Sequence, residues 1–155
     1  MKYWVLSVVV GLIIFTSCKE NTSDMEQLKK EVWETIKAHN KTWSVDENID
    51  EQMKFISDDM VGIFPPFNTL TKGKEAYREG YLSWYEHAKV HYFREVDPVI
   101  TIHKDGFAIV AYKIEMSFDY DDNLVDDWKG MDMFTLVKTD GKWLITSDMF
   151  ARGTE

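Results

Sequence analysis

The feature that most constrains the fold is the second half of the chain, which from Val90 onward consists almost entirely of strand-forming segments. From Phe107 to Tyr120, apolar and polar residues alternate with the period of two that a half-buried strand requires. Asp105-Gly106 and Asp140-Gly141 are strong two-residue hairpin signals, and Asp121-Asp122-Asn123 marks a further turn. The pattern predicts antiparallel strands over about 90–96, 99–104, 107–120, 124–139 and 142–151.

Helical periodicity is confined to the part of the chain that precedes this meander. Ser23, with Glu26 three residues on, forms a capping box, and the apolar spacing behind it predicts a helix to about Trp43. Three further elements are predicted: a short helix around 49–56, a strand over 60–64 and a helix from Thr71 or Gly73 to Ala88. Helices followed by a long antiparallel meander are typical of an α+β domain whose helices cover one face of the sheet.

The N-terminus has the form of a bacterial lipoprotein signal. The basic residue Lys2 is followed by an uncharged, apolar run over 5–15 and then by the small residues that precede Cys18. That run is too short for a membrane-spanning helix, which needs about 20 residues. We therefore expect 1–17 to be a cleavable signal peptide, 18–23 a lipidated tether and 24–155 one folded domain.

Lipidation of Cys18 would hold the protein at the membrane, since two or more acyl chains are enough for stable anchoring. The expected location is the cell envelope. Lys19 follows the cysteine where an Asp would retain a lipoprotein at the inner membrane, which favours the outer membrane, at its periplasmic or surface face.

Charge and composition limit the partners and cofactors of the domain. The chain has 18 basic and 27 acidic residues, a formal net charge of −9. Nucleic acid binding depends on neutralising phosphates, so a nucleic acid partner is not expected. The single cysteine cannot form an intramolecular disulfide. No metal site or cofactor is predicted, because the four histidines lie on separate elements and none has a neighbouring cysteine.

Candidates for acid–base chemistry are carboxyl groups that would be buried in an apolar pocket, where burial tunes the pKa. Asp148 is the preferred base, with Tyr112 or His91 as its partner. Regular pairing across the Asp140-Gly141 turn places Asp148 opposite Met133. The same register predicts that Asp132 points to the opposite face from Asp148, so that the two carboxylates cannot form a dyad.

The length of the turn near Asp121 leaves two registers open for the preceding hairpin. A two-residue turn, which we prefer, would place Met131 and Met133 on the face of Tyr112, together with Asp148. A three-residue turn would place Asp132 on that face instead.

Several fragments, in order and at matching spacing, resemble the SnoaL-like, nuclear transport factor 2-like superfamily from about Met25 to Arg152. They are the long first helix, the segment over 55–61, Lys72-Gly73-Lys74-Glu75-Ala76 and the hairpin over 138–145. The resemblance implies a cone-shaped, curved antiparallel sheet wrapped around about three N-terminal helices, with a deep pocket and often a dimer packed through the sheet. It does not imply one activity, since the superfamily includes isomerases, cyclases, dehydratases and non-catalytic binders.

Two departures from that resemblance favour binding over catalysis. Phe64 stands where the superfamily's steroid isomerases carry a general-base Asp, and Ser147 and Met149 stand where many members carry a His. We therefore expect a lipid-anchored envelope protein whose pocket binds a small apolar molecule without catalysis. The residues expected to line the pocket are Trp33, Phe64, Tyr81, Trp84, Tyr112, Met116 and Met133.

Two alternatives are an isomerase, cyclase or dehydratase that uses Asp148 as base, and a homodimeric assembly module. The enzyme differs from the other two in requiring a carboxyl group with a raised pKa at the floor of the cavity.

Replacing Cys18 tests the predicted anchor directly. Cys18→Ser should abolish the incorporation of radiolabelled palmitate into the full chain, because the thiol is the only group that can accept the lipid. Ser23→Ala is the matched control and should leave labelling unchanged. Labelling that persists in Cys18→Ser would contradict the lipoprotein prediction.

Overall fold

The computed structural model describes residues 22–64, 70–103 and 106–153, so the predicted signal peptide, Cys18 and most of the tether lie outside the described residues. The helices are α1 (Thr22–Ser44), α2 (Ile49–Gln52), continued by a 3-10 turn (Met53–Phe55), and α3 (Lys74–His87). The strands are β1 (Ile56–Ile63), β2 (Leu70–Lys72), β3 (Ala88–His103), β4 (Phe107–Tyr120), β5 (Asn123–Thr139) and β6 (Lys142–Arg152). Within these ranges, none of the helices combines the length and the apolar character that a membrane span requires.

The strands form one curved, unclosed sheet in the order β2-β1-β6-β5-β4-β3, with the helices on its inner face. The α+β class and the helix-covered sheet are as predicted. The sheet is mixed rather than wholly antiparallel, because β1 lies parallel to β6. A parallel pair requires a long crossover, which here is the whole chain between the two strands.

Strand β3 is one element where two were predicted. Its pairing with β4 continues from Val96 opposite Lys113 to Val99 opposite Ala111. Asp97, at φ +53°, and Pro98 lie between these pairs as an irregularity in the ladder. The break predicted between 96 and 99 is therefore a bulge in an edge strand, where the missing backbone N–H of Pro98 is tolerated.

The core forms between α1 and the inner face of the sheet. Val32, Ile36 and Trp43 of α1 are buried at helical spacing, and burial of each such side chain contributes about 1.5–3 kcal/mol. On β4, every second residue from Ala108 to Phe118 is buried, which confirms the predicted alternation.

An extra residue in β5 sets the register of the β4–β5 hairpin. The tip is the preferred two-residue turn, with Asp121 and Asp122 at φ +48° and +62°. Beyond it the ladder shifts, so that one residue of β4 faces two of β5, one of which is Asp127 at φ +50°. A bulge of this kind reverses the alternation of the strand. Asp132, and not Met131, therefore lies opposite Tyr112.

A second bulge shifts the β5–β6 hairpin in the same way. The pairs run regularly from Thr139 opposite Lys142 to Leu136 opposite Ile145, and then Thr135 pairs with Ser147, which leaves Thr146 as the extra residue. Asp148 consequently lies opposite Phe134 and on the same face as Asp132. The prediction that the two carboxylates point to opposite faces is wrong, because it assumed a ladder without bulges.

The outer face of the sheet is apolar across its centre. Side chains in register across all six strands form a row of Leu70, Ile63, Met149, Met133, Ala111 and Val99. Met133 is 38% exposed on this face and does not line the inner cavity, contrary to the sequence prediction. The dimer that the resemblance implies stays a prediction, which the particle mass from light scattering would check.

Two glycine-to-alanine substitutions test the packing of the core, because Gly130 is tightly surrounded and Gly80 is not. A Cβ at Gly130 would lie 2.3 Å from the Trp128 ring and 2.9 Å from the carbonyl oxygen of Ala151. Because the Trp128 ring is itself stacked on Phe150, with centroids 5.1 Å apart, Gly130→Ala should lower the free energy of unfolding by about 1–3 kcal/mol.

The control is Gly80→Ala within α3, where a Cβ meets nothing within 4 Å. It should raise the free energy of unfolding by about 0.5–1 kcal/mol, because alanine loses less backbone entropy in a helix. Urea unfolding measures both values, and equal effects would contradict the packing around Gly130.

Candidate active site

A cavity of about 520 Å³ lies between α3 and the inner face of the sheet. Its volume falls in the range of small-molecule sites, about 300–1,000 Å³. Its walls are largely aromatic and aliphatic, and two carboxyl groups are part of its lining. The residues that line it are Trp43, Phe64, Thr71, Ala76, Tyr77, Gly80, Tyr81, Ser83, Trp84, Ile114, Met116, Tyr120, Asp132, Asp148 and Phe150.

The aromatic stripe of α3 forms one wall of this cavity. Tyr77, Tyr81 and Trp84 recur at i, i+4 and i+7 and so project from one side of the helix. The Tyr77 and Tyr81 rings pack edge to face with centroids 5.0 Å apart, and Tyr77 also packs on Phe64 at 5.7 Å. These contacts fix the rings, so the wall is preformed.

Asp148 on β6 is one of the two carboxyl groups of the cavity, and only 3% of the residue is exposed. Its Oδ2 accepts a hydrogen bond of 2.7 Å from the Tyr77 hydroxyl, while Oδ1 has no partner among the described residues. Burial raises the pKa of Asp148 to about 7, and the Tyr77 hydrogen bond, which favours the charged form, opposes the rise.

Asp132 on β5 is the second carboxyl group, 6% exposed, and its Oδ2 accepts a hydrogen bond of 3.0 Å from the Tyr112 hydroxyl. Asp132 pairs with Phe150 and Asp148 pairs with Phe134, so the two aspartates are diagonal neighbours on adjacent strands. Residues in this relation are typically about 7 Å apart. Burial and then the charge of Asp148 raise the pKa of Asp132 well above its usual value. Asp132 therefore favours its protonated form, whereas the pKa of Asp148 lies near neutral pH.

Asn40 on α1 determines the direction in which Tyr112 donates. Its side-chain amide donates to the Tyr112 hydroxyl at 2.8 Å and to Glu95 at 2.9 Å. Because the tyrosine oxygen accepts from Asn40, the hydroxyl proton points to Asp132. The Oδ1 of Asn40 in turn accepts from the Trp43 indole at 3.3 Å.

His39 extends this buried network away from the cavity. Burial lowers the pKa of His39 to about 4, so the ring is neutral at physiological pH. Its Nδ1 lies 3.3 Å from Oδ1 of Asn40 and its Nε2 lies 3.5 Å from the amide nitrogen of Gln52. A neutral ring that donates from Nδ1 and accepts at Nε2 fits both neighbours. His39 is thus a structural group that orients Asn40.

The structure brings together some of the residues predicted for the site and separates others. Phe64, Tyr81, Trp84 and Met116 line the cavity. Trp33 and Tyr112, which were also predicted to line it, are not among its lining residues; their rings pack against each other with centroids 5.6 Å apart.

Neither predicted partner of Asp148 contacts that carboxyl group. Tyr112 donates to Asp132, and His91 is exposed and pairs with Asp119 at 2.8 Å. The hydroxyl that does bind Asp148 belongs to Tyr77, on a helix far away in sequence.

Asn40 was not recognised from the sequence, although a signal exists. It follows Ile36 by four residues on the face of α1 that carries the buried apolar side chains. A polar residue at such a position must find a hydrogen-bond partner inside the protein.

The described parts of the chain contain no group of three or more His, Cys, Asp or Glu side chains arranged to hold a metal ion. Among the described residues that line the cavity, the groups suited to proton transfer are two carboxyl groups and the tyrosine hydroxyls.

Comparison with solved structures identifies the architecture around this cavity. A nuclear transport factor 2-like protein from Cytophaga hutchinsonii matches with a TM-score of 0.67 and 17% identity, over 86% of this chain and 99% of the other. The chain has the nuclear transport factor 2-like fold. A search of family models and a search of curated proteins gave no match.

Two further structures with the nuclear transport factor 2-like fold bear names that mention an activity. A ketosteroid isomerase-like protein from Erwinia carotovora matches with a TM-score of 0.71 and 17% identity, over 82% of this chain and 97% of the other. A candidate scytalone dehydratase from Novosphingobium aromaticivorans matches with a TM-score of 0.74 and 14% identity, over 86% and 89%. At these identities the likeness concerns the fold alone.

A pair of tyrosine substitutions tests the hydrogen bond to Asp148. Tyr77→Phe should raise the pKa of Asp148 by about 1–2 units, since a hydrogen bond to a charged group contributes about 1.5–3 kcal/mol. Tyr81→Phe is the matched control, because its hydroxyl bonds to Tyr77 at 3.4 Å and not to the carboxyl group. Carbon-13 NMR titration of the aspartate side chains measures both, and an unchanged pKa in Tyr77→Phe would refute the contact.

Proposed function

We propose that the domain is an enzyme that moves protons on a small, mainly apolar substrate. The observation that carries the proposal is the pair of buried carboxyl groups, Asp132 and Asp148, in the lining of one apolar cavity. From the sequence, binding without catalysis was favoured and the two carboxylates were expected on opposite faces. Both in fact lie on the cavity face, and they supply the carboxyl group with a raised pKa that an enzyme of this kind requires and a passive pocket does not.

The two carboxyl groups suit opposite roles. A general base works best with a pKa near the operating pH, and Asp148 meets that condition. Asp132, whose pKa is raised by burial and by the charge of its neighbour, suits the role of acid and hydrogen-bond donor. Environments that separate the pKa values of two like groups are a recurring basis for acid–base catalysis.

A reaction that uses this pair is enolisation next to a carbonyl group. Asp148 as carboxylate would take a proton from the carbon, while Asp132 gives its proton to the carbonyl oxygen, forming an enol. Return of a proton to a different carbon completes an isomerisation. Alternatively, a hydroxyl group on the neighbouring carbon leaves as water with the proton that Asp148 took from carbon, while the enol proton returns to Asp132 and the carbonyl group re-forms, which completes a dehydration. Each sequence conserves protons and needs no external oxidant or reductant.

The surroundings of the pair support the same chemistry. Tyr77 holds Asp148 and Tyr112 holds Asp132, so each carboxyl group is oriented before a substrate enters. The aromatic walls surround the reacting atoms with apolar groups, and a less polar environment strengthens electrostatic effects. Structures with the same fold are called ketosteroid isomerase-like and candidate scytalone dehydratase, names that denote an isomerase and a dehydratase.

A second candidate is the non-catalytic binding of a small apolar molecule, which the volume and apolar walls of the cavity favour. The two functions differ in their dependence on Asp148. A pure binder would retain its ligand affinity in Asp148→Asn and would accelerate no proton transfer.

We further propose that this activity is located at the cell envelope, with the domain tethered through lipidated Cys18. The support is the N-terminal sequence, where a short apolar run and small residues precede the single cysteine of the chain. A substrate would then be taken from the periplasm or from the medium outside the cell.

Proton exchange into deuterated water tests the enzyme proposal without knowledge of the product. A panel of small cyclic ketones with neutral, anionic or cationic substituents is incubated with the full chain, and NMR follows deuterium uptake next to the carbonyl group. We expect at least one member to exchange faster, with a rate that rises with pH and levels off above about 7, because Asp148 must be ionised.

Asp148→Asn should reduce the exchange rate by at least about 100-fold, the usual contribution of a general base. Asp119→Asn, an exposed aspartate of β4, is the control and should retain the wild-type rate. Exchange that persists in Asp148→Asn would exclude this residue as the base.

A further inference from the structure

The charge of the cavity restricts its ligand more than its shape does. Of the described residues that line it, Asp132 and Asp148 carry ionisable carboxyl groups and none is Lys, Arg or His. An anionic ligand would therefore find no counter-charge here, and burying it beside carboxyl groups would be unfavourable.

The walls add negative electrostatic potential to that of the carboxyl groups. An aromatic ring presents a negative face, and a cation within about 6 Å of a ring centroid is attracted to it. Seven aromatic side chains line the cavity: Trp43, Phe64, Tyr77, Tyr81, Trp84, Tyr120 and Phe150. Such rings contact both the hydrocarbon part and the charged group of an organic cation.

Asp148 also has an unused hydrogen-bond acceptor. Its Oδ2 is bound by Tyr77, whereas its Oδ1 is buried without a partner among the described residues. A buried acceptor of this kind carries a desolvation cost until a donor reaches it. A donor that also carries positive charge would both fill this acceptor and favour the ionised carboxylate.

We propose that this cavity also binds a small organic cation, a ring-containing amine whose ammonium group lies between Asp132 and Asp148. Its ring lies against the aromatic wall formed by α3. This ligand is distinct from the substrate that undergoes proton transfer, because its ammonium group occupies the carboxyl groups that would act as base and acid.

The proposal makes ligand binding depend on pH. The groups that face Asp148 are Tyr77 and Tyr81 from α3, Tyr112 from β4 and Asp132 from β5, and Glu95 of β3 acts on Asp132. Burial keeps the three tyrosines neutral. Below about pH 7, Asp148 must release its proton before an ammonium group binds, so the affinity should fall by about tenfold for each further pH unit.

Calorimetry with two probes of equal shape tests this dependence in the full chain. Benzylamine carries the charge, and benzyl alcohol is its neutral counterpart. At pH 7.5 we expect benzylamine to bind at least about tenfold more tightly, a difference of about 1.4 kcal/mol. Its affinity should be about 20-fold lower at pH 5.5. At pH 6, comparison of two buffers with different ionisation enthalpies should show the release of about one proton per benzylamine bound and none per benzyl alcohol.

Asp148→Asn should remove both the preference for benzylamine and the proton release, whereas Asp119→Asn should keep them. Equal affinities for the two probes, failure of both to bind at millimolar concentration, or binding of benzylamine without proton release would overturn the proposal. Each outcome is independent of the exchange assay. Exchange of neutral ketones without amine binding refutes the cation site alone, and amine binding without exchange of any ketone refutes the enzyme alone.

Discussion

Two carboxyl groups buried beside each other are the feature on which the rest of this structure depends. Removing a carboxylate from water costs several kcal/mol unless hydrogen bonds or an opposite charge compensate, and two neighbouring carboxylates also repel each other. Neither Asp132 nor Asp148 has a cationic partner among the described residues. Each is stabilised by one tyrosine hydroxyl, and burial raises the pKa of both, which favours retention of a proton and so reduces the repulsion.

Much of the remaining polar interior supports this pair. Tyr112 donates to Asp132 only because Asn40 occupies its acceptor side, and Asn40 is held by Trp43 and His39. The buried polar face of α1 is therefore part of the candidate site, although α1 contributes mainly its C-terminal end to the cavity wall. A satisfied network of this kind fixes a single arrangement of the core, whereas loss of one member would leave the others unpaired.

The bulges of β5 and β6 determine which side chains of these strands lie on each face of the sheet. Each inserts one residue, so each exchanges the inward and outward sets of side chains beyond it. Together they turn Asp132 and Asp148 into the cavity and Met133 and Met149 outward. The apolar row on the outer face and the acid pair on the inner face are thus consequences of the same two insertions. Bulges are common next to active sites because they redirect individual side chains in this way.

The sequence by itself determined the kind of structure and much of the apolar wall. The period of two in β4, the two hairpin turns at Asp121-Asp122 and Asp140-Gly141, and the aromatic stripe of α3 are local signals, and the structure follows them.

Only the tertiary structure decided that the side chains of Asp132 and Asp148 point to the same face of the sheet. A bulge is stabilised by the strands packed on either side of it and leaves little trace in local composition, yet one inserted residue reverses every assignment beyond it. The hydroxyl partners of the acid pair were hidden for a similar reason: Tyr77 and Asp148 are 71 residues apart in the chain, and only the packing of α3 on the sheet brings them to 2.7 Å.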